Sequence, residues 1–593
     1  MFRQFFIVFI LVVATLFVFS PALRYGFMNL DDNIHIYDNP YITLPSLSGT
    51  LRLWTRAHQS MYIPLTFTVW LGVASLSRMF SVGIGPHFLD PRLFHLLNLT
   101  LHLLNVLLVY VILKALIGSV PVARGRGWEG EREKVAAALG ALLFSLHPVQ
   151  VEPVIWLSSL KDLLCGFWSL AALWLFLRFA GWEACGKYRG KGWAISATGC
   201  FILACFAKPA AVVVPLLAVL LLTFRSPRSR CGWRGRFLLS PPHLLALIWL
   251  VIAIPFMIAA KVAEGDINLD LVAPLWSRLF IAADAVGFYL GLLFFPWRLG
   301  VDYGQTIQVI MGHSWFYFAW LIPVGLVISL WLQRDRRQWL VSLAVFVTCF
   351  LPTVGLIPHG FQNFSTVADR FLYMAMLGPA LALAWLLCRY RKRVVIVTGA
   401  VIVMLLGVRS IYQRRVWIND VSLCQHTLQL NPNSYYAHDC LGLALVEQGM
   451  VEKALPHYRR AIQIKPNYPS AYNNLGVALA RQGKYEEALP YFKLVVTNRP
   501  EQAEAHNNLG AALARLERYE EAVFHYRSAL QLKFAYPMAH YNLGIAMEKQ
   551  GRYEEACAQF EEVIRLQPDF ASACEWLRIT RAKADGITEP ETE

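Results

Sequence analysis

Residues 5–23 form an apolar run of about 20 residues, the length a helix needs to cross a bilayer, and similar runs recur through the first 415 residues. They end at Leu146 and near Arg178 in two cases, and elsewhere cover 93–116, 193–207, 209–224, 244–261, 279–295, 315–332, 339–356, 371–388 and 394–408. Inside lipid each segment must satisfy its own backbone hydrogen bonds, so the runs predict an all-α polytopic bundle. The stretch 62–80 is apolar but short and carries Arg78. Eleven spans follow if 62–80 does not cross and one segment between 244 and 295 is re-entrant. The first run is long for a signal-peptide core and lacks a clear small-residue cleavage site, which predicts an uncleaved anchor.

Charge is divided unevenly. From Tyr435 onward there are 18 Lys+Arg against 21 Asp+Glu, and before it 36 against 18. The basic excess therefore belongs to the membrane part, where it sets orientation, and nucleic acid is not an expected partner. Cytoplasmic positions are predicted for 114–134, Lys187/Arg189/Lys191, Arg225–Arg236, Arg334/Arg336/Arg337 and Arg389/Arg391/Lys392/Arg393. Counting from these puts 25–61, 147–160, the Lys208 break and 358–369 on the opposite side. The 11 cysteines contain no C-x-x-C pair and no metal-ligand spacing, which makes them small core residues.

From Trp417 the pattern becomes an amphipathic helical repeat of period 34. Leu-Gly recurs at 441–442, 475–476, 509–510 and 543–544, and Ala at 454, 488, 522 and 556. Pro stands at 432, 466, 500 and 568, with Phe534 in the broken slot. This is the tetratricopeptide pattern. The predicted organisation is a bundle over 1–415, a half-repeat linker over 416–434, four repeats over 435–570, and a capping helix with a charged tail over 571–593.

Polar residues collect where the runs break. Asp31 and Asp32 emerge just after the first run, and Asp38-Asn39-Pro40 supplies turn chemistry. His95, Asn98, His102 and Asn105 form one helical stripe, suited either to ligand contact or to hydrogen bonds between helices. Pro148 and Pro153 break a helix beside His147, Glu152, Lys161 and Asp162, while Lys208-Pro209 breaks another. His147 and Glu152 can orient a ligand or cap the broken helices. Asn474, Asn508 and Asn542 stand before Leu-Gly in three repeats, where their amides can clamp an extended peptide or link neighbouring repeats.

A bundle with an acidic first outer loop followed by such repeats resembles the transmembrane and tetratricopeptide-repeat-containing O-mannosyltransferase family. The resemblance rests on Asp31-Asp32 with Asn39-Pro40, on His147-Pro148-x-x-x-Glu152 through Lys161-Asp162, and on Ala368-Asp369-Arg370-Phe371-Leu372-Tyr373. It implies a polyprenyl-phosphate-dependent, inverting glycosyltransferase that moves a mannose-like sugar to Ser/Thr hydroxyls of exported proteins. Asp31 and Asp32 would be catalytic, with Arg370, Lys161 and Lys208 on the donor phosphate. His147, Glu152, Asp162 and His102 would line the same outer surface, and Asn474, Asn508 and Asn542 would hold the acceptor. No metal site is indicated, although Asp31, Asp32 and Glu152 could bind a divalent ion. Few repeats and short loops point to a bacterial homologue, in the inner membrane with periplasmic repeats; a eukaryotic member would have lumenal repeats at the endoplasmic reticulum. A non-catalytic membrane scaffold is the alternative, and a transporter is a third reading.

Overall fold

The computed structural model describes residues 2–43, 46–80, 89–118, 129–183, 190–224, 240–265, 271–390 and 392–585. Among these the fold is helical, and the residues form two compact units, Met1–Asn431 and Pro432–Glu593. All of 119–128, and the clusters at 187–189, 225–236 and Arg391, lie outside the described residues, as does the tail from 586.

The first unit is a multi-pass membrane bundle. Among the described residues seven helices are long and apolar enough to cross: Gln4–Arg24, Pro91–Ile117, Leu157–Gly181, Pro241–Glu264, Leu275–Phe294, Ser314–Trp331 and Arg393–Trp417. The pair Gly130–Leu146 and Pro148–Ile155, bent by 53°, adds an eighth if it is one span. Lys191–Ala207, Pro209–Phe224 and Leu377–Arg389 are shorter apolar helices, and Pro64–Phe80 has 17 residues.

Two expected spans are shorter than their apolar runs. The run over 339–356 is α-helical only in Arg336–Phe350 and passes into the 3-10 turn Leu351–Thr353, because Pro352 has no N–H to extend the ladder. The run over 371–388 begins in the 3-10 turn Asp369–Leu372 and becomes an α-helix only at Leu377. The Arg370 and Tyr373 side chains of that turn are tied into the interior, which holds its backbone away from a continuous helix.

Small residues set how closely the helices approach. A Cβ on Gly378 would lie 2.5 Å from the Ser342 carbonyl, and one on Gly140 would lie 2.6 Å from that of Ala380. Such contacts are how helices associate where lipid removes the hydrophobic drive. The stripe on Pro91–Ile117 faces inward. Asn98 donates to the carbonyls of Val154 and Trp156, and Asn105 to that of Leu163 and to the Tyr373 hydroxyl. The stripe thus holds the broken segment 154–163 in place.

The second unit is a solenoid of four helix pairs, from Tyr435–Glu447 with Val451–Ile464 to Pro537–Lys549 with Tyr553–Leu566, followed by Ala571–Ala584. The period of 34 follows from one repeated contact. A Cβ on Gly442, Gly476, Gly510 or Gly544 would fall 2.5, 2.7, 2.8 or 2.7 Å from Tyr458, Phe492, Tyr526 or Phe560. Glycine therefore admits the aromatic ring of the second helix. The turn inside each pair needs a left-handed residue, supplied by Gly449, Gly483 and Gly551 but by Glu517 (φ 60°) in the third repeat.

Candidate functional site

The first loop reaches the site through Asp32. This buried carboxylate accepts the Met28 N–H at 3.0 Å on Oδ2, and on Oδ1 the Ser158 N–H at 2.9 Å and the Ser158 hydroxyl at 2.6 Å. Burial pushes its pKa up to about 7 despite the three donors, which favour the anion. Asp32 therefore fastens loop 25–61 to the broken helix.

Asp31 is directed elsewhere. Among the described residues its carboxylate has neither a hydrogen bond nor an ion pair, and the charges that act on it are Lys161 and Arg370. Burial raises its pKa and the two cations lower it, with burial the larger effect.

Three cations collect around three rings. Arg370 donates to Glu152 at 2.7 Å, with its guanidinium 4.4 Å from the centre of the Phe361 ring, 5.2 Å from that of Trp156 and 5.3 Å from that of Phe371. Lys161 lies 5.9 Å from the Trp156 ring, and Lys208 5.8 Å from the Phe371 ring. Lys208 is paired with Asp162 at 2.5 Å. Among the described residues Lys161 has no ion pair; its ammonium contacts the Met61 sulfur at 4.0 Å. The site thus contains two neutralised pairs and one ammonium free to meet an anion.

The residues from Glu152 to Asp162 add another feature. Glu152 Oε2, Trp156 Nε1, Ser159 Oγ and Asp162 Oδ2 are buried without a hydrogen-bond partner. Buried polar groups normally find partners. Glu152 to Asp162 thus holds four such exceptions in 11 residues, among the described residues.

Every side chain of the Asp369–Tyr373 stretch is in contact with the interior. Asp369 accepts from Tyr303 at 2.5 Å, and the Ala368 N–H donates to Tyr289. Tyr373 accepts from Asn105 through its hydroxyl and from Gln150 through its carbonyl.

Other candidates fall outside this cluster. His102 is fully buried between Tyr373 (3.1 Å) and Ser145 (3.4 Å), on the stripe that faces the bundle interior. His147 accepts the Val149 N–H and caps the turn at Pro148, with its other nitrogen 3.1 Å from the Leu293 carbonyl. In the second unit the asparagines link repeats. Asn474 donates to Asp439, Asn508 to Asn473 and Asn542 to Asn507, at 2.9, 2.9 and 3.0 Å. Among the described residues no group of three or more His, Cys, Asp or Glu is arranged to hold a metal.

Sequence reasoning missed the aromatic frame. Trp156 and Phe371 lie within quoted stretches, so their place beside Lys161 and Arg370 was a usable signal. Ser158 and Phe361 carried none.

Family profiles described as "TPR repeat" and "Tetratricopeptide repeat" match residues 442–483, and 467–533 with 537–570. Protein O-mannosyl-transferase TMTC4 of Mus musculus is 26% identical over 414 residues, covering 62% of this chain and 54% of the relative. Its Homo sapiens counterpart is 25% identical over 501 residues, covering 76% and 65%. Protein O-mannosyl-transferase F38B6.6 of Caenorhabditis elegans is 24% identical over 418 residues, covering 69% and 54%. The chain thus matches between about half and two thirds of these relatives' length. Among solved structures, a crystal structure of MamA protein aligns at 22% identity and a TM-score of 0.24, covering 26% of this chain and 83% of that one. That likeness is too low to argue from.

Proposed function

We propose that this relative of the membrane O-mannosyl-transferases with tetratricopeptide repeats is itself a membrane glycosyltransferase. It moves a mannose-like sugar from a polyprenyl-phosphate carrier to Ser/Thr hydroxyls of exported proteins. The observation that supports this most is the division of labour between adjacent carboxylates. Asp32 is held by three donors, whereas Asp31 has no hydrogen-bond or ion-pair partner among the described residues and lies in the field of Lys161 and Arg370.

The chemistry is a single displacement. Asp31 takes the proton of the acceptor hydroxyl as its oxygen bonds to the anomeric carbon. The bond from that carbon to the phosphate oxygen breaks, and the polyprenyl phosphate leaves with the electron pair, so the anomeric configuration inverts. Lys161 meets the departing phosphate, while Arg370 and Lys208, neutralised by Glu152 and Asp162, hold the frame around it.

On this reading the site and the repeats lie on the non-cytoplasmic side, periplasmic in a bacterium and lumenal in a eukaryote, which the basic clusters of the sequence support. The repeats carry the acceptor protein. A reporter fused to the C-terminus should be active only on that side, and a cytoplasmic signal would remove the repeats from the acceptor's compartment.

The direct test is transfer by the purified full chain from mannosyl polyprenyl phosphate to a Ser/Thr peptide. Asp31→Asn should lower the rate by about 10²–10⁴-fold with membrane insertion and thermal transition retained. Full transfer in that variant would dismiss Asp31 as the base, and no transfer by the wild type would favour the scaffold.

A further inference from the structure

Two histidine pairs in the repeats have no part in the proposed transfer. They occupy one slot on the first helix of a repeat and one on its second, 19 residues later. In the first repeat the slot holds His438 and His457, and in the third His506 and His525. The second repeat has Tyr472 and Tyr491 there, and the fourth His540 and Gln559.

In both pairs the Nδ1 atoms face each other, at 3.0 Å in the first and 3.1 Å in the third repeat. The opposite nitrogen of each first-helix ring is also fixed. His438 Nε2 lies 3.2 Å from the Pro432 carbonyl, and His506 Nε2 lies 3.2 Å from that of Pro500. A carbonyl only accepts, so the neutral ring keeps its proton on Nε2 and turns the Nδ1 lone pair toward its partner. Holding the far nitrogen against a backbone carbonyl is how proteins orient metal-ligating histidines.

We propose that each pair is a binding site for a borderline divalent transition-metal ion, of the class of Zn²⁺, Cu²⁺ and Ni²⁺. Imidazole nitrogens suit these ions. A tetrahedral ion with bonds of about 2.0–2.1 Å would set its two nitrogens about 3.3 Å apart, so the observed pairs need open by only a few tenths of an ångström. On coordination the proton between the two Nδ1 atoms, carried by the second-helix ring, passes through water to that ring's own Nε2, so both imidazoles stay neutral and both Nδ1 lone pairs bind the ion. With no third protein ligand among the described residues, water completes the shell. The ion clamps the two helices of one repeat and stabilises that repeat by mass action.

The pairs differ in nearby charge. Arg460 acts on His438 in the first. His525 in the third is near both Glu521 and Lys493, whose charges oppose each other. The third-repeat site should therefore bind more tightly.

The test is calorimetric titration of the full chain, purified in detergent without a histidine tag and stripped of metal, with ZnCl₂. His457→Gln and His525→Gln are suitable changes because Gln559 already fills that slot in the fourth repeat. Wild type should bind two more equivalents than the double variant and each single variant one more, with the site lost in His525→Gln several-fold the tighter. Zn²⁺ should raise the thermal transition of the wild type more than that of the double variant. Cu²⁺ on the wild type should give an electron paramagnetic resonance spectrum with imidazole nitrogen couplings that the double variant lacks. Equal stoichiometry and affinity in the double variant, or no such couplings in the wild type, overturns the proposal.

Discussion

Asp32 and Ser158 stand 126 positions apart, yet one carboxylate oxygen of Asp32 accepts both the backbone N–H and the hydroxyl of Ser158. These two hydrogen bonds fasten the loop to the broken helix, with Asp31 in the field of Lys161 and Arg370. Ser158→Ala removes one charge-assisted donor and should lower stability by about 1.5–3 kcal/mol, read as a drop in the thermal transition. An unchanged transition would mean that the hydroxyl does not bear on loop position.

Asp32 also sets a pH dependence of stability. Its folded pKa of about 7 lies above the unfolded value of about 3.9, so the folded chain binds the proton more tightly. Its contribution is complete below about 3.9 and is lost as pH rises through about 7. Asp32→Asn should flatten the dependence of stability on pH between those limits. An equally steep dependence in the variant assigns it to other groups.

As the proposed base, Asp31 should give activity the opposite pH dependence. A base must be ionised, and burial raises its pKa while Lys161 and Arg370 hold the rise in check. Transfer should persist at higher pH and fall on acidification, with a midpoint above the ordinary carboxylate value of about 3.9. A kcat/KM profile flat down to about pH 4 would contradict this.

Lys161 and Arg370 should separate binding from folding. Lys161 has no ion pair among the described residues, so Lys161→Met should raise the donor KM about 10- to 100-fold and leave the thermal transition near wild type. Arg370→Met strands the buried Glu152 carboxylate and should cost about 3–5 kcal/mol of stability. If both variants lose only stability, neither cation meets the donor.

In the repeats, replacing Asn474, Asn508 and Asn542 together by Ala removes three hydrogen bonds between repeats. At about 1 kcal/mol each the loss should be visible in the unfolding of the solenoid. If peptide binding falls while unfolding is unchanged, the asparagines contact the acceptor instead.

Residue order alone determined the broad plan. Apolar runs of bilayer length demand helices, because lipid offers no partner for a free backbone group. The period of 34 demands helix pairs, because Gly and the facing aromatic recur in step. Sequence also named Asp31, Lys161 and Arg370, since charges at breaks between apolar runs are costly and conspicuous. What each charge does was decided only in three dimensions. Asp31 and Asp32 are neighbours in the chain, and their roles differ because Ser158 and Met28 reach one and not the other. His102 shares its composition with the site, but its helix turns it inward against Tyr373. Pairing Lys208 with Asp162 and Arg370 with Glu152, while Lys161 has no ion pair among the described residues, depends on which segments meet. No local spacing encodes those meetings, because hydrogen bonds and ion pairs act over a few ångströms while these partners lie tens to hundreds of positions apart.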